Sequence, residues 1–299
     1  MTRIAFLGPA GTFTEQALWE FGLPGTEPVP AESPAAALNA VRAGEVEYAV
    51  AAIESSVDGT VTSTADALVE SPGVQIYAET ELDIAFAVMT RPGFALSDAT
   101  TLATHPVAYE QVKCWVGEHI PGAAFVPAAS NGAAARMVAD GEADVAAAPR
   151  RAAEIFGLEV HADGVADLET ARTRFVLVGP TGRSPARTGN DRTTVVFRLP
   201  NEPGTLVGAL QEFAYRGVDL SRIESRPTKE ERNTYDFHVD FVAHIEDVPL
   251  EEALRAVYLR ASKITFLGSW PRAHGDPARM DQRTLDAAQQ WVERVKEGR

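Results

Sequence analysis

Short apolar runs separated by amphipathic stretches fill the first 180 residues. The runs at 3–8, 48–53, 84–89, 101–103, 143–148 and 173–178 are rich in Val, Ile, Ala and Phe, as interior strands of an α/β sheet are. Between them, 33–43, 107–117 and 132–140 repeat apolar positions at helical spacing. This alternation predicts an α/β fold with a mostly parallel sheet. Segment 179–191 is dense in Gly, Pro and small polar residues and reads as a linker. Beyond it, 193–199 alternates as a strand, and 204–215 carries a helical apolar face that Pro203 opens and Gly217 stops. Strands are predicted at 220–225 and 235–243 around a polar turn at 228–233, and a closing strand at 264–267. Segment 249–261 is amphipathic, with Leu250, Ala253, Leu254, Val257 and Tyr258 on one face. The order β-α-β-β-α-β is the split βαβ plan of ferredoxin-like domains. A last helix is expected around 283–296. The expected organisation is a two-lobed domain at 1–180, a linker at 181–192, a second domain at 193–272 and a tail at 273–299.

Charge sharpens this division. Residues 1–180 hold 9 basic and 24 acidic side chains, whereas residues 181–299 hold 18 of each. Neither half offers the basic surface that nucleic acid requires. No apolar run is long enough for a membrane span, and the N-terminus opens directly into a strand pattern without a leader, so a cytoplasmic protein is expected. Cys114 is the only cysteine, which excludes an internal disulfide and fits a reducing compartment. It falls on a helix face read as apolar and is expected in the core. None of the six histidines has metal-ligand spacing, so no metal is expected.

Three segments carry candidate chemistry. In Gly8-Pro9-Ala10-Gly11-Thr12-Phe13-Thr14-Glu15, Thr12 and Glu15 have capping-box spacing, and a helix N-terminus offers N–H groups to an anion. No Gly-Lys-Ser/Thr follows and the dinucleotide glycine spacing is absent, so neither nucleotide motif is present. A capped helix without a ligand fits the segment equally. Ile53-Glu54-Ser55-Ser56-Val57-Asp58-Gly59-Thr60 ends a strand at the sheet edge where α/β folds collect ligands. Its hydroxyls can donate to a carboxylate, or the segment is a polar turn capping the next helix. Arg172-Thr173-Arg174-Phe175 places two of the acidic half's nine basic residues together. Arginine forks bind carboxylates; the alternative is pairing with Asp167 or Glu169. His105, before Pro106, lines a cleft or opens a helix.

Taken together, these segments resemble the prephenate dehydratase family, from Ile4 to Pro271. Gly8 to Thr14 is similar to its first motif, Ile53-Glu54-Ser55-Ser56 to its Ile-Glu-Asn-Ser motif, and Thr173-Arg174-Phe175 to its Thr-Arg-Phe signature. Ser55 stands where the family pattern has asparagine. Gly204-Thr205-Leu206-Val207 and Glu224-Ser225-Arg226-Pro227 resemble two motifs of the ACT domain that follows in this family. Leu267-Gly268-Ser269-Trp270-Pro271 is similar to that domain's closing strand.

The resemblance implies a two-lobed catalytic domain like the periplasmic ligand-binding proteins, with the chain crossing between lobes near 80–83 and 160–167. It implies the form without a preceding mutase domain. The implied reaction converts prephenate to phenylpyruvate, water and carbon dioxide, with no metal or organic cofactor. Arogenate dehydration and non-catalytic amino-acid sensing are the alternatives. Thr173, Arg174 and Phe175 are the expected catalytic residues, with Thr173 donating to the departing oxygen. Gly11, Thr12, Glu54, Ser55, Ser56, Thr104 and Ser130 are the expected substrate-binding set. Gly204, Thr205, Leu206, Val207, Glu224, Ser225, Arg226 and Pro227 are expected to bind L-phenylalanine between paired ACT domains of a homodimer or homotetramer.

Overall fold

The computed structural model describes residues 1–70, 72–168, 170–228, 233–275 and 282–298. Most of the polar turn expected at 228–233 lies outside the described residues. Contacts divide the chain into two units, Met1–Pro72 with Thr80–Pro180, and Gly73–Glu79 with Thr181–Arg299.

The first unit opens with β1 (Thr2–Leu7), α1 (Phe13–Glu20), β2 (Thr26–Ala31), α2 (Pro34–Arg42), β3 (Tyr48–Ser55), β4 (Gly59–Thr60), α3 (Thr62–Glu70) and the end of β5 (Val74–Asp83), whose residues 74–79 belong to the second unit. It continues through β6 (Phe86–Thr90), β7 (Thr101–Thr104), α4 (Pro106–His119), β8 (Ala124–Pro127), α5 (Asn131–Ala139), β9 (Val145–Ala148), α6 (Arg150–Phe156) and β10 (Glu159–Val165), and returns as β11 (Arg172–Pro180). The expected two-lobed α/β domain is present, with one sheet per lobe; each sheet is mixed rather than mostly parallel. In the first, β2, β1 and β3 are parallel and β11 runs antiparallel to β3. In the second, β8, β7 and β9 are parallel, while β6 and β10 add antiparallel strands in the order β10-β6-β9-β7-β8. Ala87, Met89, Ala103, Ala135, Val138, Ala146 and Ala152 pack the second lobe's core.

Both lobe crossings fall later than expected. Residues 80–83 still belong to β5, and the chain changes lobe between Asp83 and Phe86. Residues 160–165 are paired to β6, where His161 Nε2 lies 2.8 Å from Thr90 Oγ1, so the return follows Val165. Cys114 is exposed rather than in the core, because α4 buries Ala108, Gln111, Val112 and Val116 instead.

The second unit contains β12 (Asp191–Arg198), α7 (Thr205–Ala214), β13 (Leu220–Pro227), β14 (Tyr235–Phe241), α8 (Val248–Tyr258), β15 (Lys263–Pro271) and α9 (Gln282–Lys296). The order is the β-α-β-β-α-β plan read from the sequence. The strands pair antiparallel as β13-β14-β12-β15, and Ile76 of β5 joins Gly268 of β15 in parallel. Val195, Phe197, Phe213, Val239, Phe241, Leu250 and Val257 form its core. Gly268 is required at that junction: its φ is +142°, and a Cβ there would lie 2.4 Å from the Ile76 carbonyl oxygen. Among the described residues no helix is long and apolar enough to cross a membrane.

Candidate active site

A cavity of about 230 Å³ opens in the first unit. Phe13, Ala52, Val61, Ile84, Phe86, Val107, Ala108 and Phe175 give it apolar walls, and Thr14, Ser55, Asp58, His105, Gln111, Asn131 and Thr173 are its polar lining. Both lobes contribute. Phe13 of the first lobe meets Phe86 edge-on, with ring centroids 5.4 Å apart.

The first sheet aims two strands at this space. Thr173 lies opposite Ser55 and Arg174 opposite Glu54, and the register then slips so that Phe175 faces Ala52. Strict alternation would send Ala52 and Ser55 to opposite faces of β3. The extra residue, Ile53, lets both line the cavity. On β11, alternation sends Thr173 and Phe175 inward and Arg174 the other way.

Arg174 is therefore absent from the lining. Its side chain is 4% exposed, and its Nη2 donates to Glu54 Oε2 at 2.6 Å. Arg172 pairs with Asp83 at 2.8 Å. Pairing with acids, the alternative weighed for these arginines, describes them both, though the partners are not the nearby Asp167, which accepts the Cys114 amide N–H. Glu169 lies outside the described residues.

Other expected contacts serve the frame instead. The Gly11 amide N–H donates to Glu15 Oε2 at 2.6 Å, and the Thr12 hydroxyl caps the Glu15 amide. Gly11 itself has φ +84°, and a Cβ there would press on Ala152 at 3.0 Å. Ser56 Oγ accepts from the Arg172 amide at 2.9 Å, tying down the returning chain. Thr104 is fully buried and donates to the Ala147 carbonyl at 2.8 Å. Ser130 caps α5 by accepting from the Ala133 amide at 3.0 Å. Of the residues expected at the site, Ser55, Thr173 and Phe175 line the cavity. Gly11, Thr12, Glu54, Ser56, Thr104, Ser130 and Arg174 are not part of its lining.

Among the described residues the lining holds no lysine or arginine, and Asp58 is its one carboxylate. Burial lowers the His105 ring below its ordinary pKa, with Asp58 opposing, so the ring is neutral near pH 7. Positive potential comes from the backbone. Phe13 and Thr14 begin α1, Val107 and Ala108 begin α4, and Asn131 begins α5, so three helix N-termini meet at the cavity.

Several lining groups are left without protein partners. Gln111 is 7% exposed, and its Oε1 is buried with no hydrogen bond. The Thr173 hydroxyl and the Asn131 side-chain N–H groups make none among the described residues. Asn131 Oδ1 accepts the His105 amide at 3.2 Å, which fixes the side chain. Ser55 Oγ accepts from the Val57 and Asp58 amides at 3.2 and 3.3 Å, leaving its hydroxyl proton to donate. Buried polar groups are normally paired, so such a set marks a place prepared for a polar ligand. Gln111 and Asn131 were not singled out from the sequence. The available signal was a glutamine on the otherwise apolar buried face of α4.

In the second unit, Gly204, Thr205, Leu206 and Val207 line a separate cavity of about 170 Å³ with Leu199, Glu202, Tyr235 and Phe237. Glu224, Ser225, Arg226 and Pro227 do not line it; they lie on β13. Within one chain the two expected phenylalanine-binding segments are thus not brought into one cavity.

Comparison with known proteins bears on both units. Residues 4–183 match the family model of prephenate dehydratase, and residues 193–257 that of the ACT domain. A prephenate dehydratase of Corynebacterium glutamicum is 55% identical over 307 residues, covering 100% of this chain and 98% of that protein. The crystal structure of an Arthrobacter aurescens prephenate dehydratase in complex with L-Phe superposes with TM-score 0.90 at 39% identity, covering 99% of this chain and 100% of that one. The structure of GqqA, described as a quorum-quenching acylase, superposes with TM-score 0.82 at 32% identity, covering 90% of this chain and 98% of that one. The chain therefore belongs to the prephenate dehydratase family, with an ACT domain following the catalytic one.

Proposed function

We propose that the cavity binds prephenate and releases phenylpyruvate, water and carbon dioxide. The observation that carries this reading is a Thr173 hydroxyl that, among the described residues, has no partner and lies beside unpaired amide groups, where three helix N-termini converge. As the ring carboxylate leaves as carbon dioxide, its bonding electrons enter the ring and expel hydroxide, which takes up a proton to become water. Aromaticity supplies the driving force. The protein must hold two carboxylates and ease the oxygen's departure. Thr173 is too weak an acid to ionise near neutral pH. It acts as a hydrogen-bond donor whose interaction strengthens as charge develops on the leaving oxygen.

The carboxylates fall to the N–H groups opening α1, α4 and α5, aided by Asn131, Gln111, Thr14 and Ser55. Arg174 acts at one remove: its ion pair with Glu54 fixes the register that sets Thr173 opposite Ser55. Gly11, Thr12, Ser56, Thr104 and Ser130 hold the same frame. Phe175 shapes the apolar wall. Acyl transfer would need a base hydrogen-bonded to a nucleophile, and the Thr173 hydroxyl has no such partner among the described residues.

Asp58 favours a second reading. A carboxylate in the lining suits the ammonium of arogenate better than an added anion. Ultraviolet assay of phenylpyruvate and phenylalanine formation, run with prephenate and with arogenate, separates the two. Turnover of neither would defeat both. The ACT domain is read as the L-phenylalanine site, formed by 204–207 of one chain and 224–227 of its partner in a homodimer or homotetramer of the cytoplasm. Calorimetry with L-phenylalanine and sedimentation with and without it test this.

A further inference from the structure

A chain of ion pairs crosses the sheet of the second unit. Arg226 Nη1 lies 3.2 Å from Glu224 Oε1, and Glu224 Oε2 lies 3.5 Å from Arg222 Nη1. Arg222 grips Asp240 with both Nε and Nη2 at 3.0 Å. Asp240 faces Arg192 Nη1 at 3.5 Å, and Arg192 Nε donates to Glu79 Oε2 at 2.9 Å. Asp240 and Glu79 have fully buried side chains, and that of Arg192 is 8% exposed. Two more donors lock Glu79: the Trp270 indole N–H at 3.0 Å and the Ala273 amide at 3.1 Å. Pairs so well desolvated and so fully hydrogen-bonded have few alternative arrangements.

Glu79 sits on β5, and β5 runs on to Asp83. Four residues of extended chain span about 13 Å. At that end Asp83 pairs with Arg172, the neighbour of Thr173, and the next residue, Ile84, lines the cavity and donates its amide to the Ala171 carbonyl at 2.7 Å. One strand thus carries the last link of the charge chain and a wall of the cavity.

We propose that Glu79 is a positioning residue: it anchors β5, and through Asp83 and Ile84 it holds Thr173 in its working place. This deepens the reading of the cavity as the catalytic site and rests on it.

The test uses the full-length protein and Glu79→Gln, which keeps the shape but removes the charge. Trp270→Phe, which removes only the indole donor, is the second variant should the first not fold. Asp236→Asn is the control: it breaks the Arg198–Asp236 pair of the same sheet, outside the chain to Glu79. Glu79→Gln should speed hydrogen exchange at the Ile84 and Thr173 amides about tenfold. It should lower kcat for prephenate about fivefold at unchanged KM. Parent-like exchange and kcat in both Glu79→Gln and Trp270→Phe would overturn the proposal, as would equal changes in Asp236→Asn. If prephenate is not turned over by the parent, the reading of the cavity fails, while the exchange arm still decides whether Glu79 anchors its wall.

Discussion

The cavity of the first unit and the sheet of the second treat polar groups in opposite ways. In the cavity, among the described residues, the Gln111 carbonyl oxygen and the Thr173 hydroxyl are left without protein partners, and no cationic side chain lines the space. In the sheet, Asp240 is fully buried yet bonded to Arg222, Arg192 and Thr194. An unpaired buried group costs stability and is retained where a ligand completes it. A saturated network adds rigidity but has nothing left to bind with. The contrast separates groups that serve the substrate from groups that serve the fold, and substitution should divide along the same line.

The largest effect is expected in the sheet. Asp240→Asn leaves Arg192 and Arg222 facing a neutral amide and should lower stability by about 3–5 kcal/mol in urea unfolding. A loss below about 1 kcal/mol would mean that water already shares the network. In the cavity, Thr173→Ala should leave stability nearly unchanged and lower kcat by roughly 10²–10³, the loss of one preorganised donor. Near-parent turnover would remove Thr173 from the chemistry. Gln111→Leu should reverse the usual association of damage with instability. It deletes an unsatisfied polar group, so stability should hold or rise, while kcat/KM falls about tenfold. Equal kcat/KM with lower stability would show that Gln111 belongs to the frame.

The same contrast explains what the sequence made legible. Interior strands such as β1, β3, β9 and β11 are plain apolar runs, because burial on both faces leaves little choice of residue. Three of the strands missed are edges: β2 reads Thr-Glu-Pro-Val-Pro-Ala, β8 ends in Pro127, and β10 contains Asp163 and Gly164; a fourth, β5, mixes Gln75, Glu79, Thr80 and Glu81 with its apolar positions. Edges tolerate proline and polar residues because one side makes no ladder bonds. At the site, Thr173 and Ser55 were readable because both sit at the ends of apolar strands. Strand parity accounts for the place of Arg174: on β11, Thr173 and Phe175 face the cavity and turn the arginine to the other side, where Glu54 pairs with it. Gln111 and Asn131 come from the second lobe, which no pattern along the chain could set against the first.

The smallest effect tests how dry the saturated sheet is. His238 lies on β14 opposite Glu224 and is 2% exposed. Burial, followed by the nearby Arg222, pushes its ring from 6.5 down to about 4; Arg226 adds to this, and Glu224 and Asp236 oppose it. The folded sheet therefore holds a neutral imidazole at pH 7. The unfolded chain takes up a proton near pH 6.5, so between that value and about 4 it binds more protons than the folded one. Stability contributed by this residue is complete above pH 6.5 and falls as the medium is acidified through the window, by at most about 1.4 kcal/mol per pH unit. His238→Gln should flatten the acid limb of stability against pH by that amount and leave the curve above pH 7 parallel to the parent's. Carboxylates titrate in the same range, so the difference between the two curves carries the information. Coincident curves would place water beside the ring, and the opposition drawn between an open, unsatisfied cavity and a closed, saturated sheet would fail at its second term.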